Sequence, residues 1–335
     1  MRLHLDDPEW IRFVNARPEA TVLHQPAWAS FLTECYGFES FALTQTRGGK
    51  VIAGVPVMEV RRPLARPRWV SLPFTDECGL LGGDASDAFI RALDQAREAA
   101  GIVSHEIRGR VAGGHQRSHG YSHRLPLDKD MDALLRGYRS SIRQGIRVAA
   151  REGVVVRRAE TRGDLTETFY RLHVATRRRL GVPVQTRRFF ELLWERLIEG
   201  EYGFVLIAEL KGTPLSAAVF LHSNRRVLYK YGASDARFLK LRANTALFHD
   251  AIQRSVEAEC QAFDWGRTDP DDEGLRRFKA SWGSVEEKLI YSTVGAAPGG
   301  ERERSRARDL SRFVIRKSPS SVCRAAGALL YRYAA

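Results

Sequence analysis

From Asp164 to Val294 the spacing of apolar residues changes period in a fixed order, and that order limits the folds open to the chain. A helical spacing through Phe169, Leu172 and Thr176 ends at Leu180, where Gly181 and Pro183 stop it, and Asp164 with Glu167 reads as its capping box. Thr186 is placed to cap a second helix carrying Phe189, Leu193, Trp194 and Leu197. Alternation with a period of two follows in YGFVLIAEL, LSAAVFLHSN and RRVLYKYGAS, with a Lys211-Gly212 turn after the first run. A helix from Asn244 to about Cys260 comes next, then AFDWGRT and EEKLIYSTV. Two helices, three strands, a helix and two strands make an α/β domain.

The first third is also α/β. KVIAGVPVMEV, RWVSLPF and CGLLGGD read as strands between turn residues. PAWASFLTECYGF and DASDAFIRALDQAREAAG read as helices, the second closed by Gly101. At 335 residues, with six Trp and sixteen Phe, the chain holds apolar material for two cores rather than one. The expected divisions are 1–130, 131–298 and a basic helical tail over 299–335.

Between Asp132 and Glu152 one helix is expected, with Arg136, Arg139, Arg143, Arg147 and Arg151 inside an arc of about 120° and apolar residues opposite. Such a face suits bidentate phosphate contacts, and it equally suits a solvated surface. The net charge is +13, which points to anionic partners. Residues 301–335 hold eight Arg and one Lys against three acidic residues, so 9 − 3 = +6 of that excess is in the tail.

No run approaches the ~20 apolar residues of a membrane span, and the first residues do not form a signal sequence, so a cytoplasmic protein with at most peripheral membrane contact is expected. Cys35, Cys78, Cys260 and Cys323 lie far apart without metal-ligand spacing, so neither a disulfide nor a metal site is expected. The nine histidines form no triad or H-x-x-x-H pattern; His24, His173 and His249 read as packing or capping residues.

Four blocks in order, FYRLHVATRRRLGVP (169–183), YKYGASDARF (229–238), FDWGRT (263–268) and LRRFKASWGSVEEKLIY (275–291), resemble the signature blocks of Fem-type peptidyltransferases and related GNAT-superfamily acyltransferases. HQPAWASFL, GVPVMEV and WVSLPF resemble the opening blocks of the same group. The resemblance implies tandem GNAT-like domains, each with a central mixed β-sheet flanked by helices. It also implies an acyltransferase that moves an aminoacyl group from aminoacyl-tRNA to an amine acceptor, either a cell-wall precursor or a small natural product. Charged tRNA then serves as co-substrate and no separate cofactor is needed. The alternative is an acyl-CoA-dependent N- or O-acyltransferase acting on a sugar or lipid intermediate. KLRANTAL (240–247) has no glycine where CoA-dependent relatives carry their pyrophosphate loop, which favours the first reading.

By the same resemblance Lys279 stabilises the transition state and Phe278 packs the substrate. Read from its neighbours alone, Lys279 is a surface lysine between Phe278 and Trp282. Asp264, at a strand end, is the second catalytic candidate, orienting the acceptor amine or holding Lys279, or else capping a turn. Arg267 and Thr268 are candidates for polar substrate contacts, and Tyr229 and Tyr231 are expected on one face of their strand. Arg242 and Asn244 open the helix at the donor side, and Arg139, Arg143 and Arg147 are the phosphate candidates.

Overall fold

The structure is a computed structural model that describes residues 1–61, 65–82, 87–128 and 130–296, together with residues 315, 318, 319, 323 and 324. The expected C-terminal tail therefore lies almost wholly outside the described residues, although Ile315 and Cys323 are buried.

In chain order the first elements are β1 (Arg2–Leu3), α1 (Pro8–Asn15), α2 (Pro26–Tyr36), β2 (Glu39–Arg47), β3 (Lys50–Val60) and β4 (Arg68–Val70). α3 (Asp87–Ala99), β5 (Ser104–Ile107), β6 (His115–Pro126), α4 (Met131–Gly137), α5 (Ser140–Arg151) and β7 (Val155–Arg158) follow. Then come α6 (Tyr170–Leu180), α7 (Arg187–Leu193), β8 (Gly203–Leu210), β9 (Thr213–Ser223) and β10 (Arg226–Ser234). α8 (Ala243–Glu257), β11 (Ala262–Asp264), α9 (Glu273–Ala280) and β12 (Val285–Gly295) complete the described chain.

The chain forms two compact units, one of residues 1–121 with the closing strand from Lys288 onward, the other built on Ser122–Glu287. In the first, β1 to β4 pair antiparallel, β4 runs parallel to β5, and Ser292–Gly295 of β12 pair antiparallel with β5. Its core joins Phe41, Val55, Val57 and Trp69 of the sheet to Phe89, Ile90 and Leu93 of α3. Gly37 ends α2 and Gly181 ends α6 in the left-handed region, where a side chain would be strained.

The second unit repeats the plan. β7 to β10 pair antiparallel, β10 runs parallel to β11, and β11 pairs antiparallel with Arg124–Pro126 of β6. α5 and α8 pack on one face, with Leu247, Phe248, Ala251 and Ile252 of α8 meeting Phe220, Phe263, Trp265 and Trp282. A Cβ on Gly145 of α5 would meet Thr245 of α8 at 3.1 Å, so that glycine sets the close approach of the two helices.

The expected helix over 132–152 is two. Tyr138 leaves helical geometry at ψ 145° and Arg139 follows at ψ 151°, because the Tyr138 ring docks edge-on against Trp282 at 5.0 Å. Arg143 covers the break by donating to the Tyr138 and Arg136 carbonyl oxygens. The capping box before α6 also differs: Thr161 Oγ accepts from the Asp164 amide at 3.3 Å, and the Asp164 carboxylate accepts in return from the Thr161 amide at 3.2 Å. A wide, π-type turn over Asp164–Phe169 then leads into α6.

Candidate active site

In the second unit β10 and β11 pair only over Arg226–Leu228 and Ala262–Asp264. β10 continues to Ser234 without that neighbour, so the sheet opens beyond Leu228. The chain leaving β11 turns at once: the Asp264 carboxylate accepts the Gly266 amide at 2.7 Å, and Gly266 takes φ 68°. This turn presents two carbonyl oxygens to α9, and Lys279 Nζ donates to both, at 2.8 Å to Gly266 and 3.3 Å to Arg267. Lys279 is 1% exposed, so the reading as a surface lysine is corrected: the ammonium is desolvated and held by backbone dipoles. Asp264 shapes the turn that holds Lys279 and lies 3.5 Å from Arg124, so its geometry is that of a positioning residue.

A cavity of about 250 Å³ adjoins the opening, lined by Leu215 and Ser216 of β9, Ser234 of β10, Asp235, Phe238, Leu239, Arg242, the first residues of α8 and Phe278. The site residues Arg242, Asn244 and Phe278 thus meet at one cavity. Arg242 itself takes the left-handed conformation, φ 57°, to start α8. Ser216 is 1% exposed and its hydroxyl has no hydrogen-bond partner among the described residues. Asp235 accepts from the Arg237 amide at 3.0 Å and pairs with the Arg237 guanidinium at 2.7 Å, which holds its carboxyl below the usual range.

Behind the turn stands a group absent from the sequence reading. His123, fully buried on β6, sits 2.9 Å from Glu286, and Glu286 is gripped by Arg276 of α9 at 2.7 and 2.8 Å. The His123 carbonyl accepts the Trp265 amide at 3.0 Å, so this histidine borders the turn that Lys279 holds. Burial and the Lys279 charge push the imidazole down from its ordinary value, with Glu286 opposing them. Its Nδ1 has no partner among the described residues. A sequence signal existed: His123 and Leu125 alternate inward on one strand, and a histidine facing a core needs a partner.

Other candidates are not gathered here. Tyr229 packs edge-on against Phe248 of α8 at 4.9 Å, whereas Tyr231 packs against Phe189 of α7 at 5.7 Å. The two phenols are therefore on opposite faces, because a bulge between Tyr229 and Tyr231 shifts the alternation by one residue. Arg267 pairs with Asp269. Thr268 is 1% exposed, its hydroxyl without a partner among the described residues. Arg139, Arg143 and Arg147 lie on the side of α5 opposite Gly145, away from α8 and the cavity, with Arg139 and Arg147 exposed. Among the described residues no cluster of His, Cys, Asp and Glu is fit to hold a metal, and no helix is long and apolar enough to cross a membrane.

This arrangement of a parallel pair opening over a helix N-terminus, with a buried lysine at its side, defines the class. Residues 136–280 match the family described as Acetyltransferase (GNAT) domain. Residues 136–280 thus carry a GNAT-type acyltransferase domain, and the chain as a whole has a fold similar to that of tandem GNAT proteins. Its fold is similar to the crystal structure of FemX, with a TM-score of 0.72 at 18% identity over 87% of this chain and 96% of that one. A tandem GNAT protein from the clavulanic acid biosynthesis pathway matches with a TM-score of 0.53 at 13% identity, over 90% and 99% of the two chains. The C-terminal domain of a protein assigned as a lysylphosphatidylglycerol synthetase from Agrobacterium fabrum matches with 0.54 at 13% identity, over 85% and 91%. No curated protein matches the sequence.

Proposed function

We propose that this acyltransferase forms an amide bond, moving an aminoacyl group from aminoacyl-tRNA to an amine acceptor such as a cell-wall precursor or a small natural product. The observation that carries the reading is Asp235, a carboxylate lining the same small cavity as Phe278. An aminoacyl ester brings an α-ammonium beside its reacting carbonyl, and a carboxylate with nearby hydroxyls complements that group. A plain acetyl group has nothing for Asp235 to bind. The cavity, about 250 Å³, is below the usual range of ~300–1,000 Å³ for whole-ligand pockets, which suits a single amino acid at the end of a donor held elsewhere. Arg242 and the N-terminus of α8 supply positive potential for the donor's terminal phosphate. Likeness to FemX and the Fem-type signature blocks support the same donor class.

In this reading Phe278 packs the aminoacyl side chain, Asp235 and Ser216 orient its amine, and the acceptor amine attacks the ester carbonyl. The family resemblance assigns the developing oxyanion to Lys279, the residue after the cavity-lining Phe278. A positive group in a dry cleft lowers the barrier more than it does in water. Incubation with charged tRNA and a panel of amine acceptors tests the proposal. An amide product that disappears after RNase treatment is the expected result. A product formed from acyl-CoA instead, insensitive to RNase, overturns the donor assignment.

A further inference from the structure

A second cavity of the second unit has no task in the reading above. It holds about 770 Å³, inside the ~300–1,000 Å³ of pockets that take a whole small ligand. Glu167, Thr168, Tyr170 and Arg171 line it from the first turn of α6 and the wide turn before it, Arg187 from the start of α7, and Arg324 from the C-terminal segment. The three guanidiniums belong to exposed residues and make no ion pair among the described residues. Their neighbours are matched: Arg162 and Arg188 share Glu191 and Glu195, and Arg157 takes Asp164 and Glu209. Three like charges around one space repel, and Glu167 offsets only one of them. Tyr170 adds a donor. It is 6% exposed, its ring lies 5.8 Å from Phe190 and 5.7 Å from the Arg187 guanidinium, and its hydroxyl makes no hydrogen bond among the described residues. Burial pushes the phenol up, with the Arg324 and Arg187 charges opposing, so the hydroxyl keeps its proton at neutral pH.

We propose that Arg171, Arg187, Arg324 and Tyr170 bind a phosphate or diphosphate group carried by the acceptor substrate. Three guanidiniums against one carboxylate match a dianion, and the planar guanidinium fork meets phosphate oxygens two at a time. The space is larger than one phosphate, so the anion is the handle of a larger molecule. Position assigns that molecule to the acceptor. Thr176 of α6 is bonded to Ser234 at the end of β10 in both directions, at 3.0 and 3.1 Å, and Ser234 lines the cavity of Phe278. The Arg171 charge is felt by Asp235 of that same cavity. Tyr231 packs against α7, which Tyr170 joins through Phe190, whereas Tyr229 on the opposite face packs against α8, the donor-side helix. A molecule held on α6 therefore comes to the ester from the side opposite the donor. Naming it the acceptor rests on the acyl-transfer reading; the anion site itself does not.

Calorimetric titration of the full chain with inorganic pyrophosphate tests the site without any substrate. Arg171→Gln with Arg187→Gln should weaken binding ~10- to 100-fold, the scale of charge-assisted hydrogen bonds, and Arg324→Gln or Tyr170→Phe alone should weaken it several-fold. The same titration of Arg242→Gln, and of the triple Gln variant of Arg139, Arg143 and Arg147, should match wild type. No binding by wild type, or a loss confined to those two control variants, overturns the site. All three cavity arginines are exposed, so the variants should fold; if the double variant does not, Arg324→Gln decides alone. Turnover then tests the ligand. Given pairs of amine acceptors with and without a phosphate, wild type should favour the phosphorylated member by ~10-fold or more in kcat/KM. The double variant should lose that preference while its KM for charged tRNA stays put. A raised KM for charged tRNA with the preference intact would give the cavity to the donor and overturn the acceptor assignment. A wild-type chain inactive on both charged tRNA and acyl-CoA would instead sink the functional reading, and the pyrophosphate titration would still decide the anion site.

Discussion

Lys279 Nζ donates to the Gly266 carbonyl oxygen at 2.8 Å, and through that bond a side chain of α9 holds the turn leaving β11. The lysine therefore has two tasks, one in the fold and one in the proposed chemistry. Lys279→Met keeps the apolar stem but strands two buried carbonyl oxygens, so a stability loss of about 1–3 kcal/mol is expected, rather than the small change of a solvated lysine. Turnover should fall ~100-fold or more, the usual scale for one oxyanion-stabilising group, with donor affinity little changed. Arg should rescue only in part, because its planar fork cannot take the place of a compact ammonium between two carbonyls. Thermal melts with steady-state kinetics separate the two effects, and near-normal turnover in a folded Met variant would leave Lys279 purely structural.

Asp235 offers a sharper test of the donor. Asp235→Asn keeps shape and the bond from the Arg237 amide but removes the charge. If the carboxylate meets an α-ammonium, loss of a charged hydrogen bond, about 1.5–3 kcal/mol, should raise the KM for aminoacyl-tRNA ~10- to 100-fold. An N-acetylated aminoacyl-tRNA, which lacks the ammonium, should be a poor donor for wild type and indifferent to the substitution. Equal losses on both donors would mean that Asp235 only shapes the entry to α8.

Much of the fold was legible because local signals and tertiary demand agreed. Gly181 after α6, Thr186 before α7 and the alternation in β8 and β9 each mark an element that the packed unit also requires. The site was legible in part. Phe278, Arg242 and Asn244 meet at one cavity, but nothing in RRFKASWG says whether its lysine faces water or carbonyl oxygens. Tyr229 and Tyr231 were misplaced because one bulge inverts a period-two pattern and leaves no mark in composition. His123 was missed because its partner Glu286 is 163 residues away, and sequence spacing carries no information on pairs that only the sheet brings together.

The arginine stripe on α5 faces away from the cavity, so its proposed role is to grip the donor's phosphates at a distance from the chemistry. Neutralising about three phosphates gives a salt slope near three times 0.7–0.9. Changing Arg139, Arg143 and Arg147 together to Gln should flatten that slope and raise the KM for charged tRNA while kcat is kept. The measurement should include Arg143→Gln alone, because Arg143 also donates to the Tyr138 carbonyl at the α4–α5 break and its loss should lower the melting temperature. An unchanged slope in the triple variant would return the stripe to a solvated face.

Two other histidines set how the protein meets acid. His105, fully buried in the first unit, lies edge-on to Trp69 at 5.9 Å, and His173, 2% exposed in the second, stacks on Phe169 at 5.4 Å and bonds Gln185 at 2.7 Å. Burial pushes both imidazoles down to about 3, from an ordinary 6.5. The unfolded chain takes up these protons near pH 6.5, and the folded chain only near pH 3. The unfolded state therefore binds more protons across that window, and stability is full above pH 6.5 and falls as pH drops towards 3. Each histidine should remove about 1.4 kcal/mol per pH unit within it. Melting temperatures measured from pH 7.5 to 4.5 should begin to decline near 6.5, above the carboxylate range, and His105→Phe, which keeps an aromatic ring against Trp69, should soften the decline for the first unit. A melting temperature flat down to pH 5 would show that these rings find a way to charge inside the fold.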